Sequence, residues 1–169
     1  ATTLPVVLYN VPGRTAVNML AVTTLELARV KNIKAVKEAS GNLDQALDII
    51  HHAPSGFVLF SGEDSLNLPL MAIGAKGTIS VTANVAPTAM KAFNDAALAG
   101  KWERASELHY GLLDLHRAMF FETNPVPAKT ALALMGFCRE EFRLPLIPAT
   151  RGTREKLQAL LIKTGYLQR

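Results

Sequence analysis

Residues 33–61, IKAVKEASGNLDQALDIIHHAPSGFVLFS, hold two short apolar runs separated by a helical pattern, and their reading decides the fold. Ile33–Lys37 (IKAVK) and Phe57–Ser61 (FVLFS) have the length and composition of buried strands. Between them Asn42–His51 spaces Leu43, Leu47 and Ile50 so that they share one helix face. Strand, helix and strand in that order make a βαβ unit, because parallel strands need a crossover that a tight turn cannot supply. The alternation continues in both directions. Leu4–Tyr9 (LPVVLY) reads as an earlier strand, followed by a helix over Leu20–Val30. After Ser61 come a helix over Leu66–Ile73, a strand over Gly77–Val81 (GTISV) and a helix over Pro87–Ala99. Residues 1–100 thus read as four βα units of an α/β protein with a parallel sheet.

From Lys101 onward the character changes and no strand candidate remains. Trp102–Phe120 is a long amphipathic pattern, and Asn124-Pro125 caps the start of a second helix that runs to about Met135, where Gly136 is placed to end it. The LPLIPAT segment, with Pro145 and Pro148, reads as a loop into a last helix over Thr153–Lys163, with Gly165 just beyond. The expected division is therefore 1–100, four βα units, and 101–169, a helical region of three helices. A parallel sheet of four strands has two open edges, whereas a closed (β/α)8 barrel takes about 250 residues. The pattern favours half of such a barrel. An open α/β sheet with helices on both faces is the alternative.

The chain has 169 residues, 49% hydrophobic and 19% charged, which supplies a core and argues against disorder. Its net charge of +4 comes from scattered lysines and arginines. No basic run interleaved with aromatics marks a nucleic-acid groove, so no nucleic-acid partner is expected. Cys138 is the single cysteine, which leaves no intrachain disulfide and no CxxC pair for zinc. ATTLPVVLYN has no basic region ahead of its apolar run, and no apolar stretch is long enough for a bilayer. These features lead to the expectation of a soluble, cytoplasmic protein without a membrane partner.

In α/β barrels the active site forms where strands end and βα loops begin. Here those positions are Tyr9-Asn10, Lys37-Glu38, Ser61-Gly62-Glu63-Asp64, and Ser80 with Thr82. Lys37 ends an apolar strand, where an unpaired lysine is costly to bury. Burial lowers an amine's pKa, and a neutral amine can attack a carbonyl to give a Schiff base. Local sequence alone favours a plainer reading, a snorkelling lysine paired with Glu38. Tyr9 offers a phenol that could relay a proton, or an aromatic that closes a barrel mouth. Arg14, after Pro12-Gly13, suits bidentate carboxylate binding, although a solvated surface arginine is commoner. Gly62 and Gly77 sit where a backbone could approach a ligand, or simply turn. GAKGTIS (74–80) is similar to a phosphate-binding turn but lacks the Walker spacing. Ser61, Asp64 and His109 form no defensible triad. The histidines 51, 52, 109 and 116 lack metal-ligand spacing, and His109 and His116 are placed to share a helix face.

Taken together, five motifs change this picture. YNVPGRT at Tyr9–Thr15 and VKEASGN at Val36–Asn42 resemble the signature segments of the dihydrodipicolinate synthase family. FSGEDS at Phe60–Ser65, GTISVTANV at Gly77–Val85 and NPVPAK at Asn124–Lys129 are similar to its later segments, in the same order and spacing. The resemblance implies the C-terminal half of a TIM (β/α)8 barrel with a C-terminal three-helix appendage. It implies that Lys37 forms an imine with pyruvate, that Tyr9 is the proton-relay phenol and that Arg14 holds a substrate carboxylate. Ile79 would contribute its backbone carbonyl near the lysine, and Gly62 would line the pocket. The enamine would attack aspartate semialdehyde to give 4-hydroxytetrahydrodipicolinate, in lysine and diaminopimelate biosynthesis. No cofactor is expected, since the imine is itself the electron sink.

The likeness begins at the family's fifth βα unit. In the family, the earlier units bring a threonine that passes protons to the tyrosine, the pyruvate-carboxylate loop, a tyrosine from a neighbouring subunit and the site for feedback by lysine. The family also suggests a homo-oligomer, a tetramer at full length. Two alternatives stay open. One is an N-acetylneuraminate lyase or keto-deoxy-sugar aldolase sharing the fold and the lysine, against which Arg14 in GRT argues. The other is a non-catalytic assembly fragment whose sheet edges pair with another copy or with a missing half.

Overall fold

The central strand of the sheet is β2 (Ile33–Glu38), flanked in parallel by β1 (Val6–Asn10) and β3 (Val58–Ser61) in the computed structural model, which describes residues 2–168. Hydrogen-bonded on both sides, β2 buries Ala35, Val36 and Glu38, whereas β1 on the edge leaves Val7 and Tyr9 exposed. The crossover helices are α2 (Ala21–Leu27) and α3 (Leu43–His52), which lie against each other. A short helix not anticipated from sequence, α1 (Pro12–Thr15), follows β1. After β3 a 3₁₀ turn (Asp64–Leu66) leads into α4 (Asn67–Ala72).

One expectation is corrected. Gly77–Val81 does not form a fourth strand, and among the described residues its strand-like pairing is limited to an isolated parallel bridge between Thr78 and Ser61. Ser61 N–H donates to the Gly77 carbonyl at 2.9 Å and Ile79 N–H to the Ser61 carbonyl at 2.8 Å. Gly77, at φ +150°, takes a conformation that side chains with a Cβ rarely adopt, and Val81 bends the chain, so the ladder ends after one rung. The buried residues of α3 are Gln45, Ala46 and Ile49, while Leu47 is 47% exposed.

The remaining helices are α5 (Pro87–Leu98), α6 (Trp102–Ala118), α7 (Val126–Leu134) and α8 (Arg151–Lys163). By packing, the chain divides into one unit of Ala1–Ser80 with Asn94–Ala105 and a second of Val81–Phe93 with Ser106–Arg169. The second unit buries Leu112 and Leu115 of α6, Met119 just after it, Ala128 and Ala131 of α7, and Leu157 and Leu161 of α8. His109 and His116, seven residues apart on α6, are both buried with rings 5.5 Å apart, and His116 Nδ1 hydrogen-bonds Thr82 Oγ1 at 2.8 Å. Gly136, at φ +83°, follows α7 as expected. As expected, α7 starts at Asn124-Pro125, with Pro125 as its N-cap and no side-chain hydrogen bond there.

Thr150 caps α8 two residues earlier than the sequence suggests, and its hydroxyl accepts from Thr153 N–H. Glu122 reinforces this cap, accepting from the Thr150 hydroxyl at 2.7 Å and the Thr150 amide at 3.0 Å. These bonds, the Thr150 hydroxyl foremost, favour the ionised carboxylate and hold the Glu122 pKa below its ordinary value. A depressed folded-state pKa contributes stability above the unfolded value, and that stability is lost as pH falls through the folded value. Thermal unfolding measured from neutral to acid pH should therefore show a loss that Glu122→Gln abolishes. Identical pH profiles for the two proteins would show that Glu122 does not secure α8.

Candidate active site

Strand parity and register together build the site. Tyr9 pairs with Lys37 and Lys37 with Phe60, so these three side chains form one row across the sheet. The next row is Asn10, Glu38 and Ser61. Successive residues on a strand point to opposite faces, so the two rows lie on opposite sides of the sheet.

The Lys37–Glu38 pair that local sequence favours is accordingly absent. The Lys37 ammonium instead lies over the Tyr9 ring, with Nζ 4.1 Å from its centroid. Such a contact attracts the charged amine to the negative ring face. Glu38 is buried, 2% exposed, and its carboxylate accepts from Ser40 N–H at 2.7 Å, Asn10 Nδ2 at 3.0 Å and Gln45 Nε2 at 3.1 Å.

Gly62 follows β3, its amide bonded to the Glu38 carbonyl at 2.8 Å. A Cβ at this position would lie 2.8 Å from Lys37 Cγ and 2.9 Å from Lys37 Cε, so the missing side chain is the space that the lysine stem occupies. Ile79 is tied to the same strand end through its bond to the Ser61 carbonyl. Arg14 lies in α1, exposed, with its amide held by the Val11 carbonyl at 2.8 Å. Of the five residues singled out in the sequence, Lys37 thus meets both Tyr9 and Gly62, Ile79 is tied to the same strand end through Ser61, and Arg14 stands on the loop after β1.

Ser61 Oγ donates to Asn67 Oδ1 at 2.6 Å and Asn67 Nδ2 donates to Asp64 Oδ1 at 3.0 Å. Among the described residues, no group of three or more His, Cys, Asp or Glu could hold a metal, and no helix is long and apolar enough to cross a membrane.

Sequence reading missed the polar cluster behind Lys37. Asn10, Asn18, Glu38 and Gln45 come from three elements and one loop, at spacings that follow no motif. The one available hint was a carboxylate at the end of an apolar strand, which has to find partners if buried.

Comparison with known proteins gives a consistent result. Residues 1–164 match the model of the dihydrodipicolinate synthetase family. The 4-hydroxy-tetrahydrodipicolinate synthase of Moorella thermoacetica is 54% identical over 167 residues, covering 99% of this chain and 57% of that protein. The crystal structure of dihydrodipicolinate synthase from Aquifex aeolicus superimposes with a TM-score of 0.96 at 43% identity, over 99% of this chain and 58% of that one. That of the chloride-inhibited enzyme from Acinetobacter baumannii, complexed with pyruvate, gives a TM-score of 0.95 at 39% identity, over 99% and 57%. The chain therefore spans little more than half the length of the relatives it matches, and it has the α/β fold of part of their barrel.

Proposed function

This chain belongs to the dihydrodipicolinate synthetase family, and from that premise we propose that it carries the lysine-bearing half of a pyruvate-dependent aldolase-type site. Lys37 Nζ attacks the ketone of pyruvate, water leaves, and an imine joins the two. The imine draws electrons from the adjacent methyl group, which gives up a proton and becomes a nucleophilic enamine carbon. That carbon attacks the aldehyde of aspartate semialdehyde, and the amine of that substrate then displaces Lys37 Nζ from the imine carbon, closing the ring of 4-hydroxytetrahydrodipicolinate and freeing the lysine. No cofactor takes part, because the imine is the electron sink. The observation that carries this reading is the Lys37 amine at the carboxyl end of a parallel strand, 4.1 Å above the Tyr9 ring, in space kept open by Gly62.

In the same reading Tyr9 relays the proton, Arg14 grips a substrate carboxylate and the Ile79 carbonyl lies beside the amine. Pyruvate in the Acinetobacter baumannii structure supports the choice of first substrate. Residues 1–100 carry the chemistry, and the three helices of 101–169 form the appendage. Leu20 and Val22, exposed at α2, support association into a homo-oligomer, a tetramer at full length.

Borohydride reduction with pyruvate, followed by intact mass and peptide mapping, tests the reading. One adduct on Lys37 is expected. A folded chain that gives none would overturn the claim that this half assembles an imine site. Arg14→Ala should lower the rate of condensation with aspartate semialdehyde by about 10- to 100-fold, the loss of a charge-assisted hydrogen bond, while pyruvate trapping changes far less. Unchanged condensation kinetics would remove Arg14 from the site.

A further inference from the structure

We propose that Glu38 is a positioning residue: its buried carboxylate fixes the orientation of two side-chain amides and so holds the 11–19 loop that presents Arg14. The assignment of Arg14 to a substrate rests on the function proposed above, whereas the control of the loop by Glu38 does not.

An ionised carboxylate only accepts hydrogen bonds, so the amides beside it must turn their NH2 groups toward it. Asn10 and Gln45 both do, Asn10 Nδ2 at 3.2 and 3.0 Å from the two carboxylate oxygens and Gln45 Nε2 at 3.1 Å. Their remaining atoms are thereby committed. Asn10 Oδ1 faces the loop and accepts Met19 N–H at 3.0 Å, and Gln45 Oε1 accepts Asn18 Nδ2 at 2.9 Å. Asn18 Oδ1 closes the circuit by accepting Asn10 Nδ2 at 2.8 Å, and the Met19 carbonyl accepts Gln45 Nε2 at 3.3 Å. The returning end of the loop is thus clamped by groups whose polarity Glu38 dictates.

The loop needs such a clamp. Residues 13–18 are all exposed, so no core packing holds them. Ala16 sits in the left-handed region at φ +58°, which a residue with a Cβ keeps only where its surroundings enforce it. Arg14 lies two residues before this strained position. Lys37 precedes Glu38 on β2 and points the other way, so adjacent residues serve the two halves of the site from opposite faces.

The test compares the chain with its Glu38→Gln variant, which keeps the shape but places an NH2 against the donors of Asn10, Gln45 and Ser40. Amide hydrogen exchange at Arg14, Ala16 and Met19 should quicken by about tenfold or more, the effect of unmaking a buried hydrogen bond. Exchange at Val36 and Leu59 in the strands should not change. Asn18→Ala, at an exposed position, cuts the same circuit without burying a new group and should loosen the same amides. In parallel, the half-saturating concentration of aspartate semialdehyde should rise about tenfold in Glu38→Gln, with little change in pyruvate trapping on Lys37. Unchanged exchange at 14–19 in both variants, or faster exchange throughout the sheet, would overturn the proposal. A wild-type chain without a pyruvate adduct would instead overturn the proposed function, and the exchange measurement would still decide the role of Glu38.

Discussion

Lys37→Ala is expected to leave no borohydride-trapped pyruvate adduct at saturating pyruvate, with the fold intact. The loss should be complete, because an imine requires a primary amine and no hydroxyl or amide can replace it. The other lysine of β2, Lys34, stands three residues earlier, about 10 Å back along the strand toward its amino end, where it cannot take over. The structural cost is small. Lys37 makes one contact through its charge, over a Tyr9 ring that is 52% exposed, and such a contact is worth about 0.5–1 kcal/mol. Thermal unfolding should thus move little while trapping disappears. An adduct that persists in Lys37→Ala, mapped to any other residue, would remove Lys37 from the chemistry.

Gly62→Ala should come close to the same loss by a different route. The added Cβ would stand 2.9 Å from Ala39 Cβ as well as 2.8 Å from Lys37 Cγ, far inside ordinary contact. Ala39 cannot swing aside, since its amide is bonded to the Asn10 carbonyl at 2.9 Å. The lysine stem must give way, and the amine leaves its place over Tyr9. Misplacing a reacting group by about 1 Å can cost roughly 100-fold in rate, so trapping should slow by about that factor. Overpacking should also destabilise the chain by about 1–3 kcal/mol, read as a lower melting temperature. Gly13→Ala is the control, because nothing lies within 4 Å of a Cβ there. Trapping at the wild-type rate in Gly62→Ala would show that the lysine needs neither this space nor this position.

Much of this was legible in the residues. The three strands of the sheet and the crossover helices lie where apolar runs and helical spacing put them, and Lys37 stands at a strand end as read. The errors have particular causes. GTISV has the composition of a strand, but Gly77 takes a backbone conformation that composition does not report. In α3, the buried Gln45 bonds Glu38, a contact that hydrophobicity cannot reveal.

By itself the sequence determined what is local: where the three strands and their crossover helices form, and that Lys37 and Glu38 are neighbours at the end of one strand. Only the tertiary structure decided what depends on register: that Tyr9 lies beside Lys37, that Gly62 leaves room for it, and that Asn10 and Gln45 converge on Glu38. The physical reason is that alternation along one strand is set by the chain's own geometry. Register is set by hydrogen bonds between strands distant in sequence, and a slip of one residue would exchange the two faces.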